Sequence, residues 1–148
     1  MKQYSFYNVE LRVNDDVMSG FSKSNSIITA GRFAAQHMRI IGAKGEMVVA
    51  TSADLSGFIA FNLLQTADDN ALLRLWTDNA QKANLDNTFF QPLNVTISDL
   101  MGNDKVLGLD GMIPKQPVMV RGEGINDLKW AFEFGQLKFN EGYQPEIN

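Results

Sequence analysis

The sequence predicts a mainly β fold, an antiparallel β-sandwich or barrel with one α-helix packed on it. Three observations carry this reading. Seven to nine short runs are β-branched, aromatic or alternating, and turn residues bound them. A single stretch, about residues 68–83, has helical spacing. The 148 residues, 45% of them hydrophobic, match one domain's worth of core, so we expect a single domain over 1–148.

The first run, Tyr4 to Val13, sets Val9, Leu11 and Val13 on one face and Asn8, Glu10 and Arg12 on the other, the period of a half-buried strand. Asn14-Asp15-Asp16 is a turn signal, and Val17, Met18 and Phe21 form a candidate return strand. Ser26 to Thr29 is a short β-rich patch. Residues 31–45 form a long excursion, extended or hairpin-like, with Arg32, His37, Arg39 and Lys44 and no acidic residue. Met47 to Ala50 is apolar and β-branched. Phe58 to Leu64 is apolar on both faces, as in a central strand covered on two sides.

Thr66-Ala-Asp-Asp69 resembles a capping box at the start of the helix. Leu72, Leu73, Leu75 and Trp76 form its apolar stripe, Lys82 suits its C-terminal end, and Asn84 with Asp86-Asn87 closes it. Leu93 to Ser98 alternates again, Gly102-Asn103 marks a hairpin turn, and Val106 to Leu109 returns. Pro114 and Pro117 bracket a joint that a central strand cannot contain. Val118 to Val120 is read as a short strand, and Gly122 to Asn126 as a turn. Leu128, Trp130, Phe132 and Phe134 share one face of a last strand that Leu137 and Phe139 extend. The polar tail, Glu141 to Asn148, is expected to fray.

The residue inventory narrows the function. With 13 basic and 17 acidic residues the net charge is −4, the wrong sign for a sequence-reading nucleic-acid binder. There is no cysteine, which removes thiol catalysis, disulfides and thiolate metal sites. The single histidine, His37, removes metal sites that need two imidazoles, and no local carboxylate orients it as a catalytic base. Gly42-Ala-Lys-Gly45 lacks the spacing of a phosphate-binding loop. Asp15-Asp16, Asp68-Asp69 and the Asp99/Asp104 pair sit at turns or a helix start and match no calcium loop. Trp130, Phe132 and Phe134 have few basic neighbours, so they read as core, not as a stacking platform for single strands. No run suggests a signal peptide or a membrane span. We therefore expect a soluble, cytoplasmically made, non-enzymatic protein without cofactor or metal.

The order of several segments resembles the tail tube proteins of myovirus-like phages and prophages. They are Tyr4-Ser-Phe-Tyr-Asn-Val9, Val17-Met-Ser-Gly-Phe21, Ile41-Gly-Ala-Lys-Gly-Glu46, Ser52-Ala-Asp-Leu-Ser-Gly57, Leu64-Gln-Thr66, Asn70-Ala-Leu-Leu73, Asn94-Val-Thr-Ile-Ser-Asp-Leu-Met-Gly102 and Trp130-Ala-Phe-Glu-Phe134. The chain departs from the pattern at Lys44, where an aspartate is expected nearby, and at Ala67-Asp68-Asp69, where serine and proline are expected. The resemblance implies a sandwich or barrel of tail-tube type, similar to the type VI secretion tube protein. It implies a virion protein, assembled in the host cytoplasm as hexameric rings that stack into a hollow tube for DNA ejection. Sheath, baseplate and terminator proteins would be its partners, and no membrane insertion would occur. Under that reading Arg32, His37, Arg39 and Lys44 make the ring-to-ring contact, with Asp15, Asp16 or Asp104 of the next ring opposite. A terminator, a baseplate protein and a type VI ring share the same implied fold. A small hydrolase or carbohydrate-binding sandwich is the alternative of another class.

Overall fold

The computed structural model describes residues 3–85, 91–100 and 104–139. Among them are nine strands and one α-helix: β1 (Val9–Val13), β2 (Asp16–Val17), β3 (Ile28–Arg32), β4 (His37–Ile41), β5 (Met47–Thr51), β6 (Gly57–Leu64), α1 (Asp69–Leu85), β7 (Leu93–Asp99), β8 (Lys105–Met112) and β9 (Asp127–Phe139). Seven strands form one antiparallel sheet in the order β2-β1-β7-β8-β9-β6-β3, and β4 and β5 form a separate two-stranded sheet. The mainly β antiparallel class with one helix is thus the observed one. The large sheet does not close into a barrel, because its edge strands β2 and β3 are not bonded to each other.

The core explains the shape. Leu11 of β1 and Phe61 of β6 belong to one buried cluster although three strands lie between theirs, so the sheet curls over its own apolar face. A row of rings spans the interior: Phe6 to Phe21 at 5.5 Å, Phe21 to Phe61 at 6.1 Å, Phe61 to Phe132 at 5.4 Å and Phe132 to Phe134 at 6.2 Å. The alternation of β9 buries Leu128, Trp130, Phe132 and Phe134, as the sequence predicts. Gly108 of β8 makes room for this row, since a Cβ there would stand 2.7 Å from the Phe134 ring. The helix adds Leu73 to the core and is fastened by Asn70, whose side chain donates to the Leu64 carbonyl (2.8 Å) and accepts from the Trp130 indole N–H (2.9 Å).

Several boundaries differ from the sequence reading. The strand read from Tyr4 begins only at Val9, because Phe6–Asn8 forms a 3-10 turn started by the Ser5 hydroxyl, which accepts from the Tyr7 N–H. The return strand after Asp15-Asp16 is two residues long; Met18 is buried and Phe21 bridges to Leu63 instead. The capping box does not form: α1 starts at Asp69, whose carboxylate accepts from the Ser19 N–H at 2.7 Å and so ties a loop to the helix start. Val118 to Val120 is not a strand, because it finds no partner strand beyond Pro114 and Pro117. β6 is fully buried on only one face, that of Ile59, Phe61 and Leu63, while the Phe58 face is half-buried. The Gly102-Asn103 turn, the Asp86-Asn87 helix stop and the tail from Glu141 lie outside the described residues.

Candidate functional site

The excursion read at residues 31–45 is a β-hairpin reaching from His37 to Thr51, and the β-branched run Met47 to Ala50 is its second strand. Residues Gly31 and Arg32 belong to β3. The turn closes with the Gly42 N–H on the Glu46 carbonyl (2.7 Å) and the Gly45 N–H on the Gly42 carbonyl (3.0 Å). Gly45 has φ +86°, a conformation that L side chains rarely adopt.

The foot of this arm is tied to the main sheet. The Phe33 N–H donates to the Ser56 carbonyl (3.2 Å), the Ser52 N–H to the Gln36 carbonyl (2.8 Å), and the Leu137 N–H to the Leu55 carbonyl (2.8 Å). Asp54 accepts from the Ser56 hydroxyl (2.6 Å) and the Ser56 N–H (2.9 Å). These bonds, the hydroxyl's first, hold its carboxyl below the ordinary aspartate pKa.

Above the foot the side chains are exposed on both faces. The register places His37, Arg39 and Ile41 beside Thr51, Val49 and Met47 on one face. Met38 and Ile40 stand beside Ala50 and Val48 on the other. Met38, Ile40, Ile41, Met47, Val48 and Val49 are each between 50% and 60% exposed. A lone two-stranded hairpin is marginal in water, and apolar side chains on both faces add surface that favours a cover.

The structure divides the residues singled out by sequence. His37, Arg39 and Lys44 share the hairpin, and His37 Nδ1 lies 3.1 Å from the Thr51 hydroxyl. Arg39 has no hydrogen-bond or ion-pair partner among the described residues. Arg32 stands apart at the foot, where its guanidinium donates to the Leu137 carbonyl (2.8 and 3.3 Å) and lies 5.5 Å over the Phe139 ring. It is a fastener within the chain, not part of a free basic loop. Asp15 and Asp16 are exposed at the β1–β2 turn and Asp104 is exposed before β8; none pairs with these bases within the chain. Sequence reasoning missed the apolar hairpin side chains. Their signal was the run Met47 to Ala50 together with Met38, Ile40 and Ile41, which sets apolar residues on both faces of the two strands.

Among the described residues no three His, Cys, Asp or Glu side chains are grouped to hold a metal, and no helix is long and apolar enough to cross a membrane. A groove of about 520 Å³ lies at the open side of the curled sheet, lined by Phe6, Val9, Ile28, Ala30, Ile97 and Val106.

The curled antiparallel sheet thus extends a separate two-stranded arm with exposed apolar side chains on both faces. The chain belongs to the Bacteriophage PhiTE tail tube protein family, whose model matches residues 1–142. It is accordingly a structural protein of the virion tail and not an enzyme. Solved structures show the same fold. The sheath/tube terminator of the PVC extracellular contractile injection system superposes with a TM-score of 0.63 at 12% identity, over 94% of this chain and 97% of that one. The tube-terminating cap of the anti-feeding prophage gives 0.61 at 11%, over 94% and 93%. The PVC sheath–tube complex in its extended state gives 0.62 at 11%, over 93% and 90%. No curated protein sequence matches the chain.

Proposed function

We propose that the chain assembles into hexameric rings that stack into the hollow tail tube through which DNA is ejected. The observation that carries this reading is the projecting β4–β5 hairpin, whose apolar side chains the described residues of the chain leave half exposed. Family membership supplies the tube, and the hairpin supplies a contact that one ring extends to the next. Arg39, Lys44 and His37 face the acidic surface of the next ring, formed by Asp15, Asp16 or Asp104. A heterologous contact of this kind propagates without closing along the stack. The net charge of −4 keeps the assembly from gripping the passing polyanion. Sheath, baseplate and terminator proteins are the partners of such a tube, which assembles in the host cytoplasm.

Negative-stain electron microscopy of the purified protein over a concentration series tests this reading. Long hollow tubes are expected, and Arg39→Glu should abolish them while leaving the circular dichroism of the folded subunit unchanged. Arg32→Glu is not an equivalent test, because it also breaks the bonds to the Leu137 carbonyl. A second reading is favoured by the terminator and cap among the similar structures: a single capping ring. Rings of six that never lengthen, even on added tube seeds, would select it.

A further inference from the structure

We infer that the direction of the arm is fixed within the single chain by a latch at the end of β9, and that Arg32 is its positioning residue. The latch itself is a property of the dispersed subunit. Only its effect on assembly rests on the tube reading.

β9 outruns β6. Their pairing ends with Gly57 opposite Phe134, while β8 continues beside β9 as far as Phe139. The stretch after Phe134 therefore has a strand on one side only, and the two legs of the arm lie along the other. Leu137 serves both legs. Its N–H donates to the Leu55 carbonyl in the returning leg (2.8 Å), and its carbonyl accepts from the Arg32 guanidinium, where the outgoing leg begins (2.8 and 3.3 Å). The Leu137 side chain is fully buried against the same place. A Cβ on Gly57 would stand 2.7 Å from its Cδ2 and 2.5 Å from the Gly31 carbonyl oxygen.

The legs are also tied to each other, Phe33 to Ser56 and Ser52 to Gln36. Those bonds make a ribbon but do not aim it, because a ribbon joined to a sheet only through its own two ends is free to swing about them. Ties to a third segment remove that freedom. Arginine suits the task. Its fork sets two N–H groups on one carbonyl while its flat face lies 5.5 Å over the Phe139 ring. A lysine would supply the charge but neither the fork nor the face. An arm that is already aimed has less orientational freedom to lose when subunits join, which favours assembly.

The test uses the absence of native cysteine. Spin labels on Ala50→Cys in the arm and Lys129→Cys in β9, both exposed positions, read the arm's angle on dispersed protein by pulsed electron resonance. A single narrow distance distribution is expected with Arg32, and one roughly twofold broader with Arg32→Lys or Arg32→Gln. Urea unfolding separates aiming from folding. A merely stabilising Arg32 would lower the unfolding midpoint and leave the width of the distribution alone, which would overturn the inference. A distribution already broad with Arg32 in place would overturn it as well. Phe139→Leu, which removes the ring and keeps the arginine, serves if neither Arg32 variant folds, and it too is expected to broaden the distances. Sedimentation of Arg32→Lys should show a critical concentration for tubes raised several-fold; broadened distances with unchanged assembly would overturn the positioning role. The distances are read without tubes, so failure of the tube reading and failure of the latch are separate results.

Discussion

Asn70 shows how one residue can set the strength of a joint. It is 4% exposed, and its amide satisfies the Leu64 carbonyl and the Trp130 indole N–H at once. Asn70→Ala leaves both without a partner beside a new void. We expect a loss of about 3 kcal/mol, since each buried polar group left unpaired costs roughly 1–3 kcal/mol. Urea unfolding should show a lower midpoint at unchanged slope; an unshifted midpoint would mean that water replaces the amide. Asp54 makes a smaller statement at the surface. Its folded carboxyl is more acidic than the 3.8 of an ordinary aspartate, because Ser56 donates to it. Its contribution to the arm's foot is therefore fully present above 3.8 and is lost as the pH falls through the lower folded value. The carboxyl carbon of Asp54 should titrate below 3.8 by NMR, and Ser56→Ala should move that midpoint upward.

At the scale of elements, the hairpin and the sheet differ in what holds them. β6 and β9 exchange hydrogen bonds over eight paired positions and bury one face, whereas β4 and β5 have only each other. Hydrogen exchange on dispersed protein should find β4 and β5 amides opening well before those of β6 and β9, with protection rising on assembly. Equal protection in the dispersed state would show that the arm needs no partner. The same contrast explains what could be read in the sequence. β9 was legible because Leu128, Trp130, Phe132 and Phe134 alternate in step with their burial, and α1 because Leu73 and Trp76 share its packed face, although Leu72 and Leu75 of the stripe read from sequence are exposed. Met47 to Ala50 was legible as a strand but not as half of a projecting arm, because periodicity reports a strand and not the sheet it joins. Val118 to Val120 has strand composition and no pairing partner, which only the fold decides. Arg32 looked like part of a basic loop because its acceptor, the Leu137 carbonyl, lies 105 residues away in the chain.

At the scale of the molecule, two forces act on the same arm, and their magnitudes differ. Fully burying a Val, Ile or Met side chain is worth about 1.5–3 kcal/mol. The six apolar hairpin residues are already about half covered, so each has roughly 1 kcal/mol still to gain, or about 6 kcal/mol per arm. An exposed ion pair contributes about 0–1 kcal/mol, so the pairs of Arg39 and Lys44 together supply no more than about 2 kcal/mol. In the proposed stack, apolar burial sets how tightly subunits hold, and charge sets which surface the arm meets. Neutralising and reversing Arg39 should consequently differ. Arg39→Gln removes one weak pair and should leave tubes that form at a somewhat higher protein concentration. Arg39→Glu sets like charges against each other and should prevent the stack. Raising salt to about 0.5 M, where the screening length shrinks to a few ångströms, should leave preformed wild-type tubes intact. The paired change Ile40→Ser with Val48→Ser, which spares every charge, should raise the critical concentration for assembly more than Arg39→Gln does. Sedimentation of tubes from free subunits reads all of these outcomes. Dissolution by salt, with the serine variant assembling normally, would reverse the ranking and make the charged face the principal bond between rings.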